Sequence, residues 1–113
     1  SPMKAIEKFI QSSVYTITNE PNSCLAIKTT FEIAAHDEQV QKVIKMDHKF
    51  TYNLLYNLIS KAIDRKEITV SEDAAMITDY IINHFSGWHE SFIIHKDPRR
   101  IKKMADFLLK QLS

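Results

Sequence analysis

Three of the chain's five histidines fall in one short stretch, HFSGWHESFIIH, residues 84–95. Histidine is the commonest side chain for metal binding and for acid–base work, so this stretch is the first candidate for chemistry. The spacing argues against a metal. On one helix His84 and His95 point the same way but sit ~16 Å apart along the axis, and His89 lies well round the helix from both. Zinc needs its ligands ~2 Å from one point. HESFI opens like the zinc-protease motif HExxH but carries Ile93 where the second histidine belongs. No glutamate is followed by a histidine three residues on, so the di-iron helix motif is missing too. These read as partly buried structural histidines, and no metal or other cofactor is expected.

Catalytic patterns fare no better. There is no G-x-S-x-G, and a single glycine leaves no glycine-rich phosphate cradle. Cys24 with a distant histidine is too common a pairing to mark a nucleophile. Asp47 and His48 are adjacent, but no activating partner is visible for either. The chain is not expected to be an enzyme.

Binding fits better. Asp47 and Thr51 fall inside the apolar face of a long helix, flanked by His48 and Tyr52. A buried carboxylate needs a partner or a wet cavity. Lys28 and Glu32 stand one turn apart on an otherwise apolar helix, either as a surface ion pair or as polar fixtures. With Phe31, Tyr52, Tyr56, His84 and Trp88 as an aromatic wall, these groups outline a mainly apolar cavity for a small molecule. Plain core packing is the competing explanation for each aromatic.

The elements that must hold such a site are helices. One glycine and three prolines in 113 residues cannot supply the turns of a sandwich or barrel. A first helix runs from about Met3 to Ile17, with Ile6, Phe9, Ile10, Val14 and Ile17 on one face. Ser1 and Pro2 read as a cloning remnant ahead of a domain covering 3–113. Pro21 breaks the chain. A second helix, about Cys24 to Ala35, is apolar nearly all round and is expected to be centrally buried. Asp37 caps a third, running to about Lys66 with Val40, Val43, Ile44, Phe50, Leu54, Leu55, Leu58 and Ala62 as its core stripe. Ser71 is the expected cap of a fourth, running to about Lys96. Asp97-Pro98 starts the last, which carries Ile101, Met104, Ala105, Leu108, Leu109 and Leu112. Its basic first turns, Arg99, Arg100, Lys102 and Lys103, read as a solvated face.

Composition narrows the function further. A formal charge of +1 signals no nucleic-acid binding by this chain. No apolar run approaches the ~20 residues of a membrane span. A lone cysteine suits the cytoplasm.

The fourth helix also explains the glycine, which costs ~1 kcal/mol against alanine in a helix interior. Ile77, Ile81, Phe85, Trp88 and Phe92 share one face. Met76, Tyr80, Gly87, Ser91 and Ile94 share another. Two buried faces imply two packing partners. Gly87 and Ser91 would let a second helix come close, either one of the same chain or one of a second copy. The stripe of the last helix favours a homodimer through Tyr80, Gly87, Ser91, Ile94, Ile101, Met104 and Leu108.

The run SCLAIKTTFEIAAHDEQVQKVI, a long helix, a helix carrying SGWHESF, and DPRRIKKMADFLLKQL together resemble the C-terminal domain of TetR-family transcriptional regulators, over about Glu20 to Leu112. The family's Gly-Cys-Leu opening, Glu-Leu-Ala stretch and His-Asp-Pro break read here Ser23-Cys24-Leu25, Glu32-Ile33-Ala34 and His36-Asp37-Glu38. Its glycine in the penultimate helix is matched by Gly87, and its acidic-Pro start by Asp97-Pro98. Ser23 and Glu38 depart from the pattern. The resemblance implies an all-α, five-helix antiparallel bundle that dimerises through its last two helices. It also implies a small-molecule effector bound among the earlier helices, with DNA contacted only through an N-terminal helix-turn-helix domain absent from this chain. The competing reading is a standalone helical protein–protein interaction module with a dry core.

Overall fold

Where the chain breaks is set by proline and by acidic caps. In the computed structural model the backbone is described throughout, and the side chains of residues 1–20 and 28–113 are described. Five helices result: α1 (Pro2–Asn19), α2 (Pro21–Ala34), α3 (Glu38–Asp64), α4 (Ala74–His95) and α5 (Pro98–Leu112). Prolines occupy the first position of α1, α2 and α5, where the missing N–H costs nothing. Asp37 accepts from the Gln39 and Val40 amides, and Asp97 from that of Arg99. Ser1 caps α1 through the Lys4 amide, and Pro2 is buried, so both residues set aside at the sequence level are part of the first helix.

The cap of α4 differs from expectation. Asp73, not Ser71, accepts from the Met76 amide at 2.8 Å. Both residues are good caps, and the connector decides between them. Its Ile68 is buried, and its Thr69 amide and hydroxyl bond the Leu112 and Ser113 carbonyls at the end of α5. That anchoring delays the helix start by two residues.

Helix α1 packs against all four others. Its stripe Met3, Ile6, Ile10 and Ile17 meets Leu55, Ile59 and Ala62 of α3, Ile77, Ile81, Trp88 and Phe92 of α4, and Ile101, Ala105, Leu108 and Leu112 of α5 in one core. The predicted inner face of α4 is therefore observed, with Phe85 half-buried at its edge.

Two expectations fail. In the described part of helix α2, the all-round burial expected for it does not hold: Ala34 is inside, but Phe31 and Ile33 are about half exposed. Its Cys24, Leu25, Ala26 and Ile27 side chains lie outside the described residues. The core stripe of α3 holds only in part, with Val40, Ile44 and Leu58 half-buried. Leu55, Ile59 and Ala62 are buried, while Val43, Leu54 and Phe50 are exposed, Phe50 at 75%. The molecule is a slab of 41 × 33 × 19 Å, two helix layers thick. Val43, Phe50 and Leu54 lie about 100° or more round α3 from the centre of the Leu55, Ile59 and Ala62 side, and so face away from the core.

Two stability measurements follow from this packing. Ile10→Ala is expected to cost about 2–5 kcal/mol in urea denaturation, whereas Phe50→Ala should stay within about 0.5 kcal/mol. Asp73→Ala should cost about 1 kcal/mol and Ser71→Ala only a small part of that. Equal losses for the two cap variants would refute the assigned helix start.

Candidate functional site

Residues Phe9, Ser12, Ser13, Thr16 and Ile17 recur at i, i+3, i+4, i+7 and i+8, which places them along one side of α1. Phe85 and His89, one turn apart on α4, face them across a cleft of about 220 Å³. The inner wall is aromatic. Phe9 and Phe85 have ring centroids 5.7 Å apart and pack on the core. Phe85 in turn lies 5.7 Å from the ring of Trp88, which is buried.

The polar part of the lining is made of hydroxyls and one imidazole. Ser13 Oγ donates to the Phe9 carbonyl at 3.0 Å. The Ser12 and Thr16 hydroxyls make no hydrogen bond among the described residues, so their donors and acceptors remain available. Burial lowers the His89 pKa from its ordinary 6.5, which keeps the ring neutral at pH 7. Among the described residues His89 is the only ionisable side chain that lines the cleft.

The residues expected from sequence to form one cavity are divided among several places. Lys28, Phe31, Asp47, His48 and Tyr56 are on the surface. Lys28 and Glu32 form no ion pair; among the described residues the Arg99–Asp97 contact, 3.8 Å, is the only one. Asp47 lies on the uncovered half of α3, so the partner demanded of a buried carboxylate is not required. His48, Tyr52 and Tyr56 stack as a ladder at 6.0 and 5.9 Å along α3. Tyr52 is half-buried there, and Thr51 is half-buried beside it. Desolvation, then the nearby Asp79 carboxylate, pushes the Tyr52 hydroxyl above its ordinary value. A second ladder runs along α4, from Tyr80 to His84 at 4.3 Å and on to Trp88 at 6.0 Å. Here His84 Nδ1 donates to the Tyr80 carbonyl. The structure thus gathers the expected aromatics other than Phe31 into two ladders and puts Trp88 in the core. The α1–α4 cleft was missed because α1 was read only for its isoleucine stripe. The signal was the set of small hydroxyls flanking that stripe, Ser12, Ser13 and Thr16.

The outer side of α4 and α5 forms a second feature. Met76, Tyr80, Gly87 and Ile94 of α4 are exposed, Ile94 at 65%, and Ser91 is half-buried. Tyr80 Oη donates to Gln111 Oε1 at 2.8 Å and links this side to α5. There Met104 and Phe107 are exposed, Phe107 at 62%. Ile101 and Leu108, assigned to an interface from sequence, are in the chain's own core instead. The inward stripe of α5 is Ile101, Ala105, Leu108 and Leu112, so its outer flank is Met104, Phe107 and Gln111. Gly87 has an ordinary helical backbone, and a Cβ there would meet nothing within 4 Å among the described residues. The two left-handed residues are lysines, Lys66 and Lys96. Neither backbone conformation nor packing inside this chain calls for glycine at 87.

His89 makes the cleft's acid response measurable. The folded-state pKa lies below 6.5, so on acidification the unfolded chain takes up the proton first. The contribution is complete above that value and is lost as pH falls towards the folded pKa. Between about pH 7.5 and about pH 5.5 the wild-type chain should therefore lose more thermal stability than His89→Gln. Identical acid sensitivity of the two melting curves would refute this.

Comparison with known proteins gave one result. The family described as tetracyclin repressor-like, C-terminal domain, matches residues 2–108. Comparisons with curated proteins and with solved structures gave no match. With its all-helical fold and nearly its whole length matched, the chain belongs to the TetR-like C-terminal domain family.

Proposed function

We propose that this chain is the effector-sensing and dimerisation half of a TetR-like transcriptional regulator. The observation that carries the reading is the two-sidedness of α4. One side, through Phe85 and His89, lines the α1–α4 cleft. The other, through Met76, Tyr80 and Gly87, is turned outward beside Met104 and Phe107 of α5. A small, mostly apolar or aromatic effector enters the cleft. A second copy packs on the outer face, where the bare Cα of Gly87 admits a helix at close range.

Effector and partner then press on the same rigid element. An effector that prefers one setting of α4 biases the arrangement of the two subunits. Through a helix-turn-helix domain N-terminal to this stretch, that arrangement sets the spacing of the DNA-reading heads. The regulator acts inside the cell on DNA, although this domain itself touches none. Among the described residues no helix is long and apolar enough to cross a membrane.

Native mass spectrometry over a range of concentrations tests the reading. The wild-type chain is expected to be a dimer, and a small-molecule adduct would give the effector's mass. Phe107→Glu should shift it to monomer. Gly87→Ala should raise the stability of the isolated chain by about 0.5–1 kcal/mol yet weaken the dimer. A bare monomer at every concentration would leave the plain interaction module as the better reading.

A further inference from the structure

The chemistry of the cleft narrows what can occupy it. Each of its helices contributes one phenylalanine, and the two rings meet against the core. The hydroxyls of Ser12, Ser13 and Thr16 follow Phe9 along α1 within two turns, so the cleft has an aromatic part and a hydroxylic part. Its described lining holds no lysine, arginine, aspartate or glutamate. The stretch whose side chains are not described, PNSCLAI, holds no acid or base in its sequence either. An anion or cation bound here would give up part of its water with no counter-charge to replace it. A hydroxyl or carbonyl head would instead exchange water for the hydroxyls of the wall.

We infer that the α1–α4 cleft, read as the effector site, takes an uncharged aromatic compound with a single hydroxyl or carbonyl head. The ring lies on Phe9 and Phe85, and the head meets Thr16 and its serine neighbours. Burial acts in the same direction on His89, whose ring it holds neutral, so the one ionisable group of the lining supplies no counter-charge at pH 7. The volume, about 220 Å³, accommodates a ligand of one or two rings.

Calorimetric titration of the purified chain with 2-naphthol and with 2-naphthoate separates the possibilities. The two probes share a ring system and differ in the charge of the head. Naphthol is expected to bind at least about tenfold more tightly, and Thr16→Val should weaken it by roughly three- to tenfold, the worth of one hydrogen bond. The same substitution should leave naphthoate unchanged, and Thr16→Ser should restore naphthol binding. Naphthoate binding as tightly as naphthol would overturn the uncharged-ligand inference while leaving an effector cleft in place. Naphthol binding that is indifferent to Thr16→Val would overturn the assigned seat of the head. Binding of neither probe, to a chain that is dimeric and folded, would remove the effector cleft itself.

Discussion

Everything in this molecule is hung on the isoleucine stripe of α1. Ile6, Ile10 and Ile17 are completely buried, and the helix that carries them touches every other helix. Full burial of each such side chain is worth about 1.5–3 kcal/mol, in a domain whose net stability is of order 10 kcal/mol. Of the other helices only α4 also reaches every neighbour. The consequence for function is geometric. The adjoining flank of α1, with Phe9, Ser13 and Thr16, inherits the rigidity of the stripe. A site built on a helix that the core clamps is held more firmly than one built on a loop.

Helix α4 is the complementary element. Its inner face is fixed by Ile77, Ile81, Trp88 and Phe92, and its two flanks are free to serve different partners. The glycine is not explained by this chain's own packing. Left-handed backbone would justify glycine at Lys66 or Lys96, and the chain uses lysine at both. It accepts the helix penalty at 87 instead, on the side turned away from its own core. The aromatic ladder Tyr80–His84–Trp88 ties that outer side to the interior, because Trp88 is in the core and Tyr80 reaches α5 through Gln111.

Much of the fold was legible from residue order. The proline breaks at 21 and 98, the Asp37 and Asp97 caps, the α1 stripe and the inner face of α4 all follow from periodicity and capping chemistry. What was not legible has one common cause. Periodicity says which residues share a face, not whether a neighbour is present to cover it. On α3 the buried Leu55, Ile59 and Ala62 fix the inner side, and Val43, Phe50 and Leu54 lie about 100° or more round the helix from its centre, where nothing among the described residues covers them. The same ambiguity put Ile101 and Leu108 on the wrong flank of α5, since a stripe that serves the core and one that serves a partner look alike in sequence. Asp47 seemed buried only because its face was assumed covered. The cleft escaped for the opposite reason. It is formed between two helices remote in sequence, by residues that on α1 alone look like the ordinary polar edge of a buried stripe.

The position of the cleft also makes the proposed signal energetically reasonable. Coupling between two sites is typically 1–3 kcal/mol. An aromatic ring that buries roughly 100 Å² of apolar surface gains about 2.5 kcal/mol at 25 cal/mol per Å². If that burial is available in one setting of α4 against α1 and absent in the other, the difference alone supplies a coupling of the required size. A ligand held equally well in both settings would shift nothing, however tightly it bound. The joint between the clamped helix and the two-sided helix is therefore where a small ligand has most leverage.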